Sequence, residues 1–133
     1  MFDNVVVGAT DSAGGIRALR RAIAVVRASG GTLHIVTALG RRPLRLPEVP
    51  AELRCGTGAG SLLVKLREMA MSESVRVQTH PARSDPAEAI TRVAAEENAD
   101  LIVVGSKVSN GTRQLAHVPR AVMDRAACPV LVV

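Results

Sequence analysis

The run Leu101-Ile102-Val103-Val104 restricts the fold more than any other stretch of this chain. It is apolar throughout and β-branched at three of its four positions. With no polar alternation it has no face to offer water, so it suits a strand covered on both sides, as in a parallel sheet. It stops abruptly at Gly105-Ser106, and a polar, glycine-containing segment follows before the next helical pattern. In open parallel sheets, ligands collect beyond the carboxyl ends of the strands, where strand order reverses. A binding site is therefore expected after Gly105, beside whichever strand ends next to it.

The other elements follow in order. Asn4 to Gly8 is a first buried strand, ending in Ala9-Thr10-Asp11-Ser12. Ile16, Leu19, Ile23 and Val26 then recur at helical spacing, with Asp11 or Ser12 as the cap and Gly30-Gly31 as the stop. Thr32 to Ala38 reads as a second strand. Gly40 to Gly60 holds three prolines and four arginines and reads as a long surface loop. From Ser61, the residues Leu62, Leu63, Leu66, Met69 and Ala70 mark a second helix, and Ser74 to Thr79 alternates as a third, more exposed strand. Asp85-Pro86-Ala87-Glu88 is a helix start, with the cap at Asp85, proline at the first helical position and glutamate three residues after the cap. Ile90, Val93 and Ala94 give that helix its buried face to about Asn98. Val118 to Ala126, with Pro119 early, is a fourth helix, and Cys128 to Val133 is a fifth strand.

Strands and helices alternate, which implies one parallel sheet with helices on both faces and right-handed crossovers. The 133 residues fit a single α/β domain, residues 1–133, with an open five-stranded sheet of Rossmann-like or flavodoxin-like strand order 3-2-1-4-5. That order sets the first and fourth strands side by side, so Ala9-Thr10-Asp11 and Gly105-Ser106-Lys107 line one cleft.

Composition narrows the function. Hydrophobic residues make up 47% of the chain, but Phe2 is its only aromatic residue. The core is therefore aliphatic, and a nucleic-acid platform, which needs aromatic stacking faces, is disfavoured. The net charge of +5 suits an anionic partner or simply an arginine-rich surface. No run is long enough to span a membrane, and the N-terminus has no signal-peptide anatomy, so a soluble cytoplasmic protein is expected. Cys55 and Cys128 suggest no disulfide framework; Cys55 reads as an incidental loop thiol and Cys128 as a core residue. His34 is expected at a strand edge or solvated turn without a role, and His80 in a turn before Pro81. No two histidines share an element as a ligand pair, so no metal is expected. Neither a Ser-His-Asp arrangement nor a carboxylate pair is evident, and no catalytic residue is assigned.

Val5 to Ser12, Asp85 to Ile90, the string Ala99 to Ser106 and the tail Ala127 to Val133 together resemble the universal stress protein family. The resemblance implies a small cytoplasmic α/β protein, commonly dimeric, acting in stress survival. It also implies an ATP-binding or a non-binding branch. In the nucleotide-binding branch an aspartate ending the first strand meets the nucleoside, and Asp11 matches it. A loop after the fourth strand, carrying a glycine, a second glycine and a Gly-Ser or Gly-Thr pair, holds the phosphates. Glycines let backbone N–H groups reach phosphate oxygens, and the helix N-terminus adds its positive end.

Gly105 matches the first glycine, but Val108 stands at the second and Ala116-His117 at the terminal pair. Gly111 can take a glycine role, and Pro119 removes one N–H from the helix's first turn. Lys107, Arg113, His117 and Arg120 offer positive charge in place of backbone donors. Ser106 and Ser109 are candidate phosphate donors, and Thr37-Ala38 can meet an adenine edge. Asp11 can equally be a plain helix cap, and His117 a loose one. The leading expectation is a non-enzymatic stress-response protein with a degenerate nucleotide loop, able to take ATP or AMP weakly if at all. An ATP-binding protein with slow hydrolysis and a scaffold using the Gly40 to Gly60 loop are the alternatives. Val130, Leu131, Val132 and Val133 form an apolar strand that needs cover, and pairing with a second copy in a homodimer supplies it.

Overall fold

The structure is a computed structural model that describes residues 2–9, 13–38, 59–82, 85–109, 112–114 and 117–133. Its elements are β1 (Asn4–Gly8), α1 (Ala13–Ser29), β2 (Thr32–Ala38), α2 (Ala59–Met71), β3 (Arg76–Ala82), α3 (Pro86–Glu96) and β4 (Leu101–Val104). They continue with β5 (Lys107–Ser109), β6 (Thr112–Gln114), α4 (His117–Arg125) and β7 (Val130–Val132). The main sheet runs β3-β2-β1-β4-β7, with every pairing parallel. This is the expected 3-2-1-4-5 order, with β7 as its fifth strand and β1 and β4 adjacent in the middle.

The sheet is buried on both faces, which is why its central strands read as unbroken apolar runs. On one face Val5, Val7, Leu33, Ile35, Leu101 and Val103 pack with Ile16, Leu19, Ile23 and Val26 of α1 and Leu66 and Ala70 of α2. On the other, Val6, Val36, Ile102 and Val104 pack with Ala87, Ile90 and Val93 of α3 and Val122 of α4. The buried positions of α1 include all four residues whose spacing predicts it. Gly30 ends that helix at φ +77°, a left-handed conformation that favours glycine. At α3 the Asp85 side chain accepts from the Glu88 N–H at 3.2 Å and Pro86 opens the first turn, as the sequence indicates. The capping residues expected for α1, Asp11 and Ser12, the loop expected over residues 40–60 up to residue 58, and Cys55 all lie outside the described residues. No described helix is long and apolar enough to cross a membrane.

Four expectations need correction. The segment after Gly105 contains a two-stranded antiparallel hairpin, β5 with β6, rather than loop alone. β3 runs on to Ala82, so His80 and Pro81 lie in a strand and not a turn. Pro81 is tolerated because β3 is an edge strand, where a missing N–H can face outward. His34 sits on β2, inside the sheet between β1 and β3, and is 1% exposed. Cys128 is only partly buried and packs at the margin of the α3–α4 core; burial raises its thiol pKa.

Asp100 fastens the amino ends of β1 and β4. Its Oδ2 accepts from the backbone N–H of Asp3 at 2.7 Å and of Asn4 at 3.0 Å. Its own N–H donates to the Asn4 carbonyl at 2.8 Å. The Asn4 and then the Asp3 N–H groups favour the charged carboxylate and hold its pKa below the ordinary value. Its contribution to stability is therefore present above the ordinary carboxylate pKa and lost as pH falls through the lowered one. Asp100→Asn is expected to lower Tm at neutral pH, with the gap to the native chain closing as pH falls below the ordinary carboxylate range. Thermal melts followed by circular dichroism across this range measure the gap.

Candidate functional site

β1 and β4 pair from Val5↔Leu101 to Val7↔Val103, so their carboxyl ends open on the same edge of the sheet. Strand order reverses between them, which makes this edge the natural crevice of the fold. Ala9 is buried just past β1, and its N–H donates to the Val36 carbonyl at 3.0 Å. Thr10 and Asp11 follow it but lie outside the described residues.

Gly105 ends β4 against the first turn of α1. A Cβ at this position would run into the Gly14 carbonyl and its neighbouring backbone atoms. The glycine is thus required for close backbone packing.

Ser106 is 5% exposed and ties this edge to the last strand. Its N–H and its Oγ–H each donate to the main-chain oxygen of Val133 at 2.7 Å. Its own carbonyl accepts from Arg17 Nη2 at 2.8 Å. A hydroxyl has one proton to donate, and here the Ser106 hydroxyl donates it to Val133 and so fastens β7. Arg17 is a residue the sequence does not single out. It brings a guanidinium to the end of β4 from the neighbouring helix, and only the pairing of the two elements reveals it.

Thr37 lies at the carboxyl end of β2, 3% exposed, and its hydroxyl has no hydrogen-bond partner among the described residues. A buried polar group without a partner is uncommon and costly. Ala38 follows it, paired in register with Ala82. Lys107 and Ser109 belong to β5, in register with Gln114 and Thr112 of β6, and Val108 stands opposite Arg113. Gly111 lies outside the described residues; His117 is exposed at the first position of α4. Ala9, Thr37, Gly105 and Ser106 thus end strands on one edge, with β5 following directly, while Val130 to Val133 run along the outer side of β4. β7 is an edge strand, and Leu131 on it is 36% exposed.

The family model described as "Universal stress protein family" matches residues 1–133. A curated relative, universal stress protein MJ0531 of Methanocaldococcus jannaschii, is 28% identical over 141 aligned residues, covering 100% of this chain and 82% of the relative. A crystal structure of a universal stress protein in complex with cAMP superposes with a TM-score of 0.72 at 29% identity, covering 99% of this chain and 96% of that one. A universal stress protein from Archaeoglobus fulgidus in complex with dAMP superposes with a TM-score of 0.73 at 22% identity, covering 98% and 97%, and shares the fold.

Ser106→Ala removes one bond to Val133 and is expected to cost about 1 kcal/mol. Gly105→Ala forces the start of α1 off β4 and is expected to cost about 1–3 kcal/mol. Urea denaturation of the two variants beside the native chain gives both values.

Proposed function

This chain belongs to the universal stress protein family, and from that premise we propose that it is a stress-response protein with a degenerate nucleotide site. The site keeps a nucleoside half at the ends of β1 and β2. Its phosphate half, after β4, no longer has the geometry to cradle a triphosphate. The protein acts in the cytoplasm and is not an enzyme.

The β5–β6 hairpin carries this reading. A phosphate cradle needs consecutive backbone N–H groups free to point at oxygens. In this chain the segment directly after Ser106 pairs with itself as an antiparallel ladder, Lys107↔Gln114 to Ser109↔Thr112. A ladder directs part of its N–H groups at the partner strand. The sequence agrees, since Val108 stands where a glycine would free the backbone. The unpartnered Thr37 hydroxyl supports the nucleoside half, because a ligand polar group at the end of β2 would satisfy it. Bound cAMP in one 29% identical relative supports the same ligand class here.

Isothermal titration calorimetry tests the reading with AMP, cyclic AMP and ATP. AMP or cyclic AMP is expected to bind at least as tightly as ATP, since the outer phosphates gain no contacts. Asp11→Ala is expected to weaken all three alike. ATP binding at low micromolar affinity, about tenfold or more tighter than AMP, would contradict it. Phosphate release above background that Asp11→Ala abolishes would favour slow hydrolysis instead.

The exposed edge of β7 supports a homodimer paired through Val130 to Val133. Light scattering on the eluting protein is expected to give twice the chain mass, reduced to one chain by Leu131→Lys. A native monomer at micromolar concentration rules the pairing out.

A further inference from the structure

The face of the sheet under α3 holds a second polar cluster. The register places Val6 beside His34, and Val36 beside His80. Asn4, His34 and His80 therefore step diagonally across β1, β2 and β3 on one face. His34 Nε2 lies 3.1 Å from Asn4 Oδ1, and His34 Nδ1 lies 3.1 Å from His80 Nε2. The two rings are tilted by 39° with centroids 5.2 Å apart. Glu97, the residue that caps the carboxyl end of α3, closes the cluster from the helix side. One ligand atom from each of His34, His80 and Glu97 lies within 4.8 Å of the others.

We propose that His34, His80 and Glu97 bind a divalent transition metal, Zn2+ by best fit, between β2, β3 and the end of α3. Two imidazoles and one carboxylate are a donor set that zinc takes, with a fourth position left to water. Two nitrogens on a tetrahedral zinc at about 2.0–2.1 Å stand about 3.3 Å apart. The 3.1 Å between His34 Nδ1 and His80 Nε2 is already close to that separation.

Asn4 supplies the orienting partner. A ligating histidine usually donates its other ring N–H to an oxygen, which fixes the tautomer and the ring. With Asn4 Oδ1 as acceptor, His34 carries its proton on Nε2 and turns the Nδ1 lone pair towards His80. Burial lowers the His34 pKa; Glu97 opposes that shift and His80 adds to it. Without metal, the His80 Nε2–H donates to His34 Nδ1. On binding, His80 moves that proton to its own Nδ1, and its Nε2 lone pair turns to the metal. His80 and Glu97 are part exposed, which gives the ion a way in, while His34 anchors the inner side.

The cluster faces α3, and His80, level with Val36, is its member nearest the strand ends of the candidate nucleotide edge. His34 is the third residue of β2, and α3 begins at the carboxyl edge of the sheet and ends at the opposite one. A metal here would clamp the end of α3 to β2 and β3 and stabilise the folded state by mass action.

Calorimetry and thermal melts of the untagged chain with ZnCl2, and visible absorption with CoCl2, test the site. One equivalent of Zn2+ per chain is expected, with a rise in Tm that MgCl2 does not reproduce. Bound Co2+ is expected to show tetrahedral d–d bands without a thiolate charge-transfer band, which excludes Cys55 and Cys128 as ligands. His80→Gln and Glu97→Gln, both on part-exposed side chains, are expected to weaken Zn2+ by at least about tenfold while the metal-free fold is unchanged by circular dichroism. Asn4→Ala is expected to weaken it by about tenfold through His34 orientation. Failure of Zn2+ and Co2+ to bind at millimolar concentration overturns the proposal, as does stoichiometric binding that survives both His80→Gln and Glu97→Gln.

Discussion

The close approach of α1 to the end of β4 governs the rest of this structure. The Gly14 carbonyl stands where a side chain at position 105 would be, so only glycine allows the contact. That contact brings the start of α1 and the segment after β4 together at one edge. A short relay of hydrogen bonds extends it, from Arg17 to the Ser106 carbonyl and from Ser106 to Val133. α1, β4 and β7 are thereby fastened at the carboxyl edge, and Asp100 fastens β1 to β4 at the other. The central part of the sheet around β1 and β4 is held at both edges by polar contacts, with the aliphatic core between them.

This arrangement separates two demands that a nucleotide makes. A nucleoside needs a few polar groups and strand-end backbone near β1 and β2, and Thr37 offers an unmet one. A triphosphate needs an open run of N–H groups after β4. There the chain forms a hairpin, and the Ser106 hydroxyl is turned to Val133. Arg17 brings positive charge to this edge, but side-chain charge is less directional than a backbone cradle.

Much of the fold was legible because apolar spacing reports burial directly. Leu101 to Val104 and Asn4 to Gly8 read as doubly covered strands, Ile16 to Val26 as a helix face, and Asp85-Pro86 as a cap. What was not legible depends on pairing between distant segments. The β5–β6 hairpin is short, polar and without an apolar alternation to announce it. Pro81 reads as a turn until β3 is known to be an edge. His34 looks unassignable in a single strand, and its partners Asn4, His80 and Glu97 come from three other elements. Aligning the second and third strands in parallel register would have been the one signal that brings the histidines together. Ser106 reads in the sequence as a candidate phosphate donor, and only the position of Val133 reveals its bond to the last strand.

Amide-resolved NMR on the isotope-labelled chain, titrated in parallel with AMP and ATP, tests the account at its centre. The proposed split between a surviving nucleoside half and a lost phosphate half predicts that both ligands shift the same amides, at Ala9, Thr37, Ala38 and Gly105. It predicts no further shifts across Lys107 to Gln114 with ATP. Large ATP-specific shifts throughout that segment, with the hairpin pairing broken to receive the outer phosphates, would contradict it.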